Sequence, residues 1–178
     1  MKSKIAFGGG CHWCTEAVFQ SLIGVTKVEQ GFVGSTDDNS SFSEAVIVYF
    51  DASKILLKTL IEIHLHTHKS ASNHSMRTKY RSAIYTFSDS QNKKVQSEME
   101  LFQFQFQNKL ITKVLSFNEF KASREQIQNY YYKNPEKPFC ERFINPKLQI
   151  LLNSFSQYAD KNRLKHLKDE SREIKYSE

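Results

Sequence analysis

Two of the chain's three cysteines lie three residues apart in FGGGCHWCTEAVF, as Cys11 and Cys14. A cysteine works as a nucleophile or metal ligand in its thiolate form, and the free amides and dipole of a helix N-terminus favour that form. Cys11 follows three glycines and directly precedes a run with helical spacing. Glycines let the backbone turn sharply and let a ligand approach closely. Spacing alone leaves three readings open: a redox pair, part of a zinc site, or two small residues buried at a strand–helix junction. A structural zinc takes four ligands. Cys140 and six histidines are available, but no second CxxC follows. His64, His66 and His68 alternate at the end of an amphipathic stretch, so they do not share one helix face. No metal is expected.

The elements that must hold these thiols follow from apolar patterning. Residues 4–9 read as a short buried strand entering the glycine turn, and 15–22 as a helix stopped by Gly24. Residues 25–33 alternate as a strand, 35–41 (STDDNSS) form a polar loop, and 43–50 (SEAVIVYF) a strong strand. An amphipathic helix is expected over 55–68, a loop over 69–79 and a strand over 82–87. Ser88 is placed to cap a long helix ending near residue 108, although LFQFQFQ within it alternates like a strand. Residues 113–117 read as a strand and 123–132 as a helix ended by Asn134-Pro135. Pro146 suits the first turn of a last helix reaching about residue 158. The expectation is a single domain over 1–158 and a charged tail over 159–178, helical or frayed. Strands interleaved with helices indicate an α/β or α+β sandwich.

Composition narrows the class. The chain has 178 residues, 39% hydrophobic and 25% charged, as in an ordinary one-domain globular protein. No apolar run approaches the roughly 20 residues of a membrane span. The start, MKSKIAFGGG, has no long apolar stretch or cleavage site, and three cysteines make no disulfide framework. A reducing cytoplasm is the expected location. The net charge of +6 raises the question of nucleic acid. The positive charges are spread and mixed with carboxylates, so a solvated surface explains them, and neither a nucleic-acid nor a membrane partner is expected.

Four stretches, in order, resemble the A-type peptide methionine sulfoxide reductases. FGGGCHWCTEAVFQSLIGV is similar to that family's Gly-Cys-Phe-Trp segment with its following Glu-Ala-x-Phe helix. SEAVIVYFD resembles its His-Ala-Glu-x-Val strand, and TKYRSAIY its Thr-Gln-Tyr-Arg-Ser-x-Ile-Tyr. YYYKNPEKPFC and INPKL resemble its Tyr-x-x-Lys-Asn-Pro and closing cysteine region. The resemblance implies an α/β plait: a mixed sheet with a ferredoxin-like split βαβ core, packed with helices, plus a C-terminal helix. It also implies thiol-dependent reduction of methionine-S-sulfoxide, in proteins or as the free amino acid, by a monomer.

By that resemblance Cys11 is the nucleophile, Glu44 the acid that protonates the departing oxygen, and Tyr80 a hydroxyl that binds it. Trp13 and His12 border the substrate's methyl pocket. Cys11 becomes a sulfenic acid, and either Cys14 or Cys140 resolves it to a disulfide. The i,i+3 spacing favours Cys14, because a disulfide needs Cα atoms within roughly 7 Å. Electrons come from a thioredoxin-like protein or dithiothreitol, with no metal or organic cofactor. An alternative is a redox-sensing thiol switch with little turnover.

The chain departs from that pattern at several positions. His12 stands where phenylalanine is usual, and an imidazolium there would favour the Cys11 thiolate. The loop that carries a second oxygen-binding tyrosine is cut to STDDNSS, with Phe42 the nearest aromatic. His-Asp-Pro becomes His68-Lys69-Ser70, a loop aspartate becomes Ser75, and Tyr-His-Gln becomes Gln126-Ile127-Gln128.

Overall fold

The computed structural model describes residues 1–167. Its elements run β1 (Lys2–Gly8), α1 (His12–Gln20), β2 (Val25–Gly34), β3 (Ser43–Asp51), α2 (Leu57–Thr67), β4 (Ala83–Thr86), α3 (Asp89–Phe102), β5 (Lys113–Ser116), β6 (Glu119–Ala122), α4 (Tyr130–Lys133) and α5 (Asn145–Ser154). The strands form one sheet in the order β5-β4-β1-β3-β2-β6. Strand β3 lies between β1 and β2, antiparallel to both, and β1 pairs antiparallel with β4. Each βαβ unit is thus split by a strand of the other, which is the ferredoxin-like plait. Strand β5 adds parallel to β4 at one edge, and β6 adds antiparallel to β2 at the other.

Alternation along the strands decides which face meets the helices. Ile5 and Phe7 of β1 and Val46, Val48 and Phe50 of β3 enter the larger core with Ala17, Val18 and Phe19 of α1. Phe7 stacks on Phe19 at 4.6 Å between ring centres. Ala6, Ala45, Ile47 and Tyr85 point the other way into a smaller cluster. Both faces of β3 are therefore covered, which explains its nearly continuous apolar sequence.

Several expectations need correction. Helix α1 starts at His12 rather than residue 15, because the chain turns directly out of β1. Helix α3 is capped by Ser88 as expected but ends at Phe102; a short turn over Gln103–Gln105 leaves Phe104 89% exposed. The helix expected over 123–132 is broken by Asn129, which takes φ 53°, and only Tyr130–Lys133 is α-helical. Asparagine tolerates that left-handed conformation better than most residues. The last helix stops at Ser154. Of the expected tail, residues 159–167 form turns that dock on the core: Ala159 bridges Leu22, and Leu164 is buried. The part over 168–178 lies outside the described residues. Strand β6 was not anticipated, since it is a short, charged edge strand without an apolar signal.

The C-terminal end of α2 fixes the glycine turn. His64 donates from Nε2 to the Gly8 carbonyl at 2.9 Å and stacks on His68 at 4.1 Å. His68 bonds the His64 carbonyl through Nδ1 and accepts from Ser82 Oγ at Nε2, 2.8 Å away. A side chain at Gly9 would place its Cβ 2.4 Å from the His68 ring, so this approach requires glycine. Burial keeps His64 well below the usual histidine range and lowers His68 to about 3. An unfolded histidine titrates near 6.5. Protons therefore bind the unfolded chain preferentially, and this contribution to stability is whole above about pH 6.5 and declines as pH falls toward 3. We predict that the urea midpoint falls over that window. His68→Asn should flatten the slope by up to about 1.4 kcal/mol per pH unit. Parallel slopes for the two proteins would contradict this.

Candidate active site

Cys11 occupies the N-cap of α1, with φ −55° and ψ 127°. Its carbonyl accepts from the amides of Cys14 at 3.1 Å and Thr15 at 3.2 Å, which closes the first turn. The Cys11 side chain makes no regular capping hydrogen bond, and its sulfur lies near the Trp13 and Cys14 amides. The Cys11 pKa is lowered. The largest cause is the Cys14 thiol, which donates to its sulfur; the Trp13 and Cys14 amides add to it, while burial and the nearby Glu44 oppose it. The same bond, with burial, pushes Cys14 far upward, so Cys14 stays a thiol beside the more acidic Cys11.

The first amide of α1 is used differently. His12 N–H donates to Glu44 Oε2 at 3.0 Å. Glu44 opens β3 and is 7% exposed. Its own N–H donates to the Lys79 carbonyl at 3.0 Å, and Ser43 Oγ donates to the same oxygen at 2.9 Å. Ser43 Oγ also accepts from Arg81 N–H at 2.7 Å. The segment carrying Tyr80 is thereby fastened to the strand carrying the acid. Tyr80 N–H bonds the Met76 carbonyl, and the Arg77 guanidinium reaches the carbonyls of Tyr80 and Gly9 at 2.9 and 2.8 Å. Arg77 also bonds the carbonyls of Ser72 and Lys69. It ties the nucleophile's turn to the tyrosine loop.

A cavity of about 500 Å³ opens beside the thiols. Cys11, Cys14, His68, Met76, Tyr80, Phe139, Phe143 and Lys147 line it. Trp13 lies behind this wall, stacked on Tyr130 at 4.0 Å and edge-on to Phe139 at 5.3 Å. His12 does not line the cavity. Its Nδ1 donates to the Gly31 carbonyl at 2.8 Å, and its ring packs edge-on to Phe32. Burial lowers its pKa, so the imidazolium expected beside Cys11 does not form near neutral pH. Phe42 is 42% exposed and offers no donor.

Cys140 was expected on a loop. Pro138 instead begins a helical turn, and Cys140 opens a π-helical turn, Cys140–Ile144, that runs into α5. Proline suits such a first turn because its missing N–H is not needed there. Cys140 is fully buried, near enough to Cys14 for its charge to raise that thiol's pKa. The structure thus brings all three cysteines together.

Three further residues were not legible beforehand. Arg77 resembles any loop arginine in sequence. Glu16, buried in α1, accepts from the amides of Asn129 and Tyr130 at 3.0 Å each and from Gln30 Nε2 at 3.1 Å. It anchors the segment that brings Tyr130 onto Trp13; its only prior sign was the Glu-Ala-x-Phe similarity. Lys147 donates to the Thr67 carbonyl and borders the cavity with two thiols, and burial lowers its pKa.

A thiolate at a helix N-terminus, a thiol one turn on and a carboxyl on the first amide define a thiol-dependent oxidoreductase built on a split βαβ plait. Residues 3–160 match the family model described as peptide methionine sulfoxide reductase. The peptide methionine sulfoxide reductase MsrA of Trichodesmium erythraeum is 34% identical over 171 residues, covering 87% of this chain and 97% of that protein. MsrA of Pasteurella multocida is 32% identical over 161 residues, covering 83% and 92%. In fold, the chain is similar to reduced Mxr1 of Saccharomyces cerevisiae (TM-score 0.69, 22% identity, 78% and 89% covered) and to methionine sulfoxide reductase A of Corynebacterium diphtheriae (TM-score 0.66, 22% identity, 75% and 76% covered). The chain belongs to the peptide methionine sulfoxide reductase family, of the A type. It is an oxidoreductase that repairs methionine sulfoxide by thiol chemistry. Among the described residues no helix is long and apolar enough to cross a membrane.

The thiol pair yields a direct test. In Cys14→Ala the donor to the Cys11 sulfur is gone, so the pH midpoint of Cys11 alkylation by iodoacetamide should rise. Cys14→Ser keeps a hydroxyl donor and should shift less. His12→Phe should leave the midpoint in place. A Cys14→Ala midpoint equal to that of the unmutated protein would show that the thiol bond does not set Cys11 reactivity.

Proposed function

We propose that the Cys11 thiolate attacks the sulfur of methionine-S-sulfoxide while Glu44 supplies the proton the oxygen needs. Cys11 sits against the amides of α1 and the Cys14 thiol, with Glu44 bonded to the first amide of the same helix; this observation carries the reading. A new S–S bond forms at the sulfoxide sulfur, and the oxygen then passes to Cys11. Free methionine leaves, and Cys11 is left as a sulfenic acid. Trp13 and Phe139 give the methyl group an apolar boundary, and Tyr80 donates to the oxygen.

Cys14 then attacks the sulfenic acid. Its proton and the sulfenic hydroxyl leave as water, and a Cys11–Cys14 disulfide remains. Two thiols supply both electrons, so no metal or organic cofactor takes part. Cys140 then exchanges into that disulfide. A thioredoxin-like dithiol returns the pair to the reduced state; the related fold of yeast Mxr1 has been solved in complex with Trx2 (TM-score 0.54). The substrates are oxidised proteins and peptides and the free amino acid. The enzyme acts as a cytoplasmic monomer, independent of nucleic acid and membrane. Its three free thiols suit a reducing compartment.

Cys11→Ser should abolish reduction of an epimer-resolved methionine sulfoxide peptide by dithiothreitol, and activity near that of the unmutated protein would refute the mechanism. Glu44→Gln should slow methionine release in a single turnover by about 10²–10⁴-fold, the usual worth of general acid catalysis. Its Cys11 alkylation midpoint should fall, because the charge opposing the thiolate is removed. A slow variant with a less reactive thiolate would move the defect from the acid to the nucleophile.

The resolving thiol is tested by turnover with thioredoxin. Cys14→Ser should release one methionine and stop as a sulfenic acid that dimedone traps. Cys140→Ser should keep turning over. The opposite pair of results would assign resolution to Cys140.

A further inference from the structure

The oxygen side of the site holds an ammonium whose use the reading above does not explain. Lys79 Nζ lies 3.7 Å from Glu44 Oε1 and 5.1 Å from the centre of the Tyr80 ring. We propose that Lys79 is a second donor to the sulfoxide oxygen, acting beside the Tyr80 hydroxyl. This rests on the assignment of Cys11 as nucleophile and Glu44 as proton donor.

The two carboxylate oxygens of Glu44 are not equivalent. Oε2 accepts from His12 N–H at 3.0 Å and lies 3.7 Å from His12 Nε2. Oε1 has no such bond and faces Lys79. Oε1 is therefore the oxygen left open to the substrate, and a sulfoxide oxygen that meets it comes to the same spot as the ammonium. A separation of 3.7 Å exceeds a direct hydrogen bond to Glu44, and the ammonium's strongest neighbour is the Tyr80 hydroxyl, so the two donors stand together and the ammonium keeps further N–H groups for an incoming oxygen. Lysine offers three donors, so it can hold the substrate while remaining near the carboxyl.

The other groups around Glu44 cannot do this. His12 N–H is already committed to Oε2, and His12 Nδ1 to the Gly31 carbonyl. Tyr80 gives one hydroxyl. A sulfoxide oxygen carries excess negative charge and accepts two hydrogen bonds well, and a charged donor is the stronger kind. The root of Lys79 is fixed, because its carbonyl accepts from Glu44 N–H and Ser43 Oγ. Its side chain is 56% exposed and is next in sequence to Tyr80, which lines the cavity, so the ammonium can reach a bound substrate without being buried.

A plain ion pair with Glu44 is the competing account, and it has the opposite sign. An ammonium that only paired with the carboxylate would hold back proton donation, and removing it would leave the reaction unchanged or faster. The test compares Lys79→Met and Lys79→Arg with the unmutated protein. It uses N-acetylmethionine-S-sulfoxide with dithiothreitol as reductant, so that docking of a protein reductant does not enter. Lys79→Met should lose about 10- to 100-fold in kcat/KM, the worth of one hydrogen bond to a charged donor. Lys79→Arg should recover most of it. The thermal midpoint should stay in place, and any rise in the Cys11 alkylation midpoint should be far smaller than the loss in kcat/KM. Undiminished kcat/KM in Lys79→Met overturns the proposal, as does a loss matched by an equal fall in Cys11 reactivity. If the unmutated protein and Cys11→Ser have equal activity, the nucleophile assignment beneath the proposal fails instead.

Discussion

The hydrogen bond from His12 N–H to Glu44 Oε2, 3.0 Å long, joins the helix that activates the nucleophile to the strand that carries the acid. It can form only if α1 begins directly after β1, within reach of the first residues of β3. The antiparallel β1–β3 pairing brings the two strand ends together, and Phe7 lies opposite Val46 at that end. The glycine turn must then reverse the chain in three residues. His64 and His68 on α2 fill the space a side chain would take at Gly9 and bond the turn's backbone. Arg77 ties the same turn to the Tyr80 loop. The plait, the α2 histidines and one arginine thus serve a single geometric demand.

That geometry sorts three cysteines by environment. All are taken partly or wholly out of water, which by itself disfavours the thiolate. Cys11 escapes because a neighbouring thiol and helix amides donate to it. Cys14 and Cys140 receive no such help, and their pKa values are raised. One thiol is therefore ready to attack while the others wait as protonated partners.

Sequence patterning captured what repeats and missed what is particular. Alternation in β1 to β4 and the helical runs at α1 and α2 are consequences of two-sided burial, and their order indicated interleaved strands and helices; the plait itself was implied by the four similar stretches, which also singled out Cys11, Glu44 and Tyr80. Strand β6 escaped because an edge strand made of Glu119, Phe120, Lys121 and Ala122 has almost no apolar period. The break at Asn129 is set by Glu16, which binds the amides of Asn129 and Tyr130 from a distant helix, and no local rule contains that contact. His12 was misjudged for a related reason. Its neighbour in sequence is the nucleophile, but its ring turns toward Gly31 and Phe32. Arg77, Lys79 and Lys147 are single cations among 25 in the chain, and only tertiary placement sets them apart.

The central claim is that Cys11 takes the oxygen and that protein thiols supply both electrons. It is tested most directly in one turnover without reductant. The fully reduced protein is mixed with one equivalent of methionine-S-sulfoxide peptide, and methionine and free thiols are counted together by mass spectrometry after alkylation. The account predicts complete conversion, the loss of two thiols for each methionine formed, and a disulfide in place of alkylated cysteines. Unconverted substrate, or methionine formed with all three thiols still free, would contradict it.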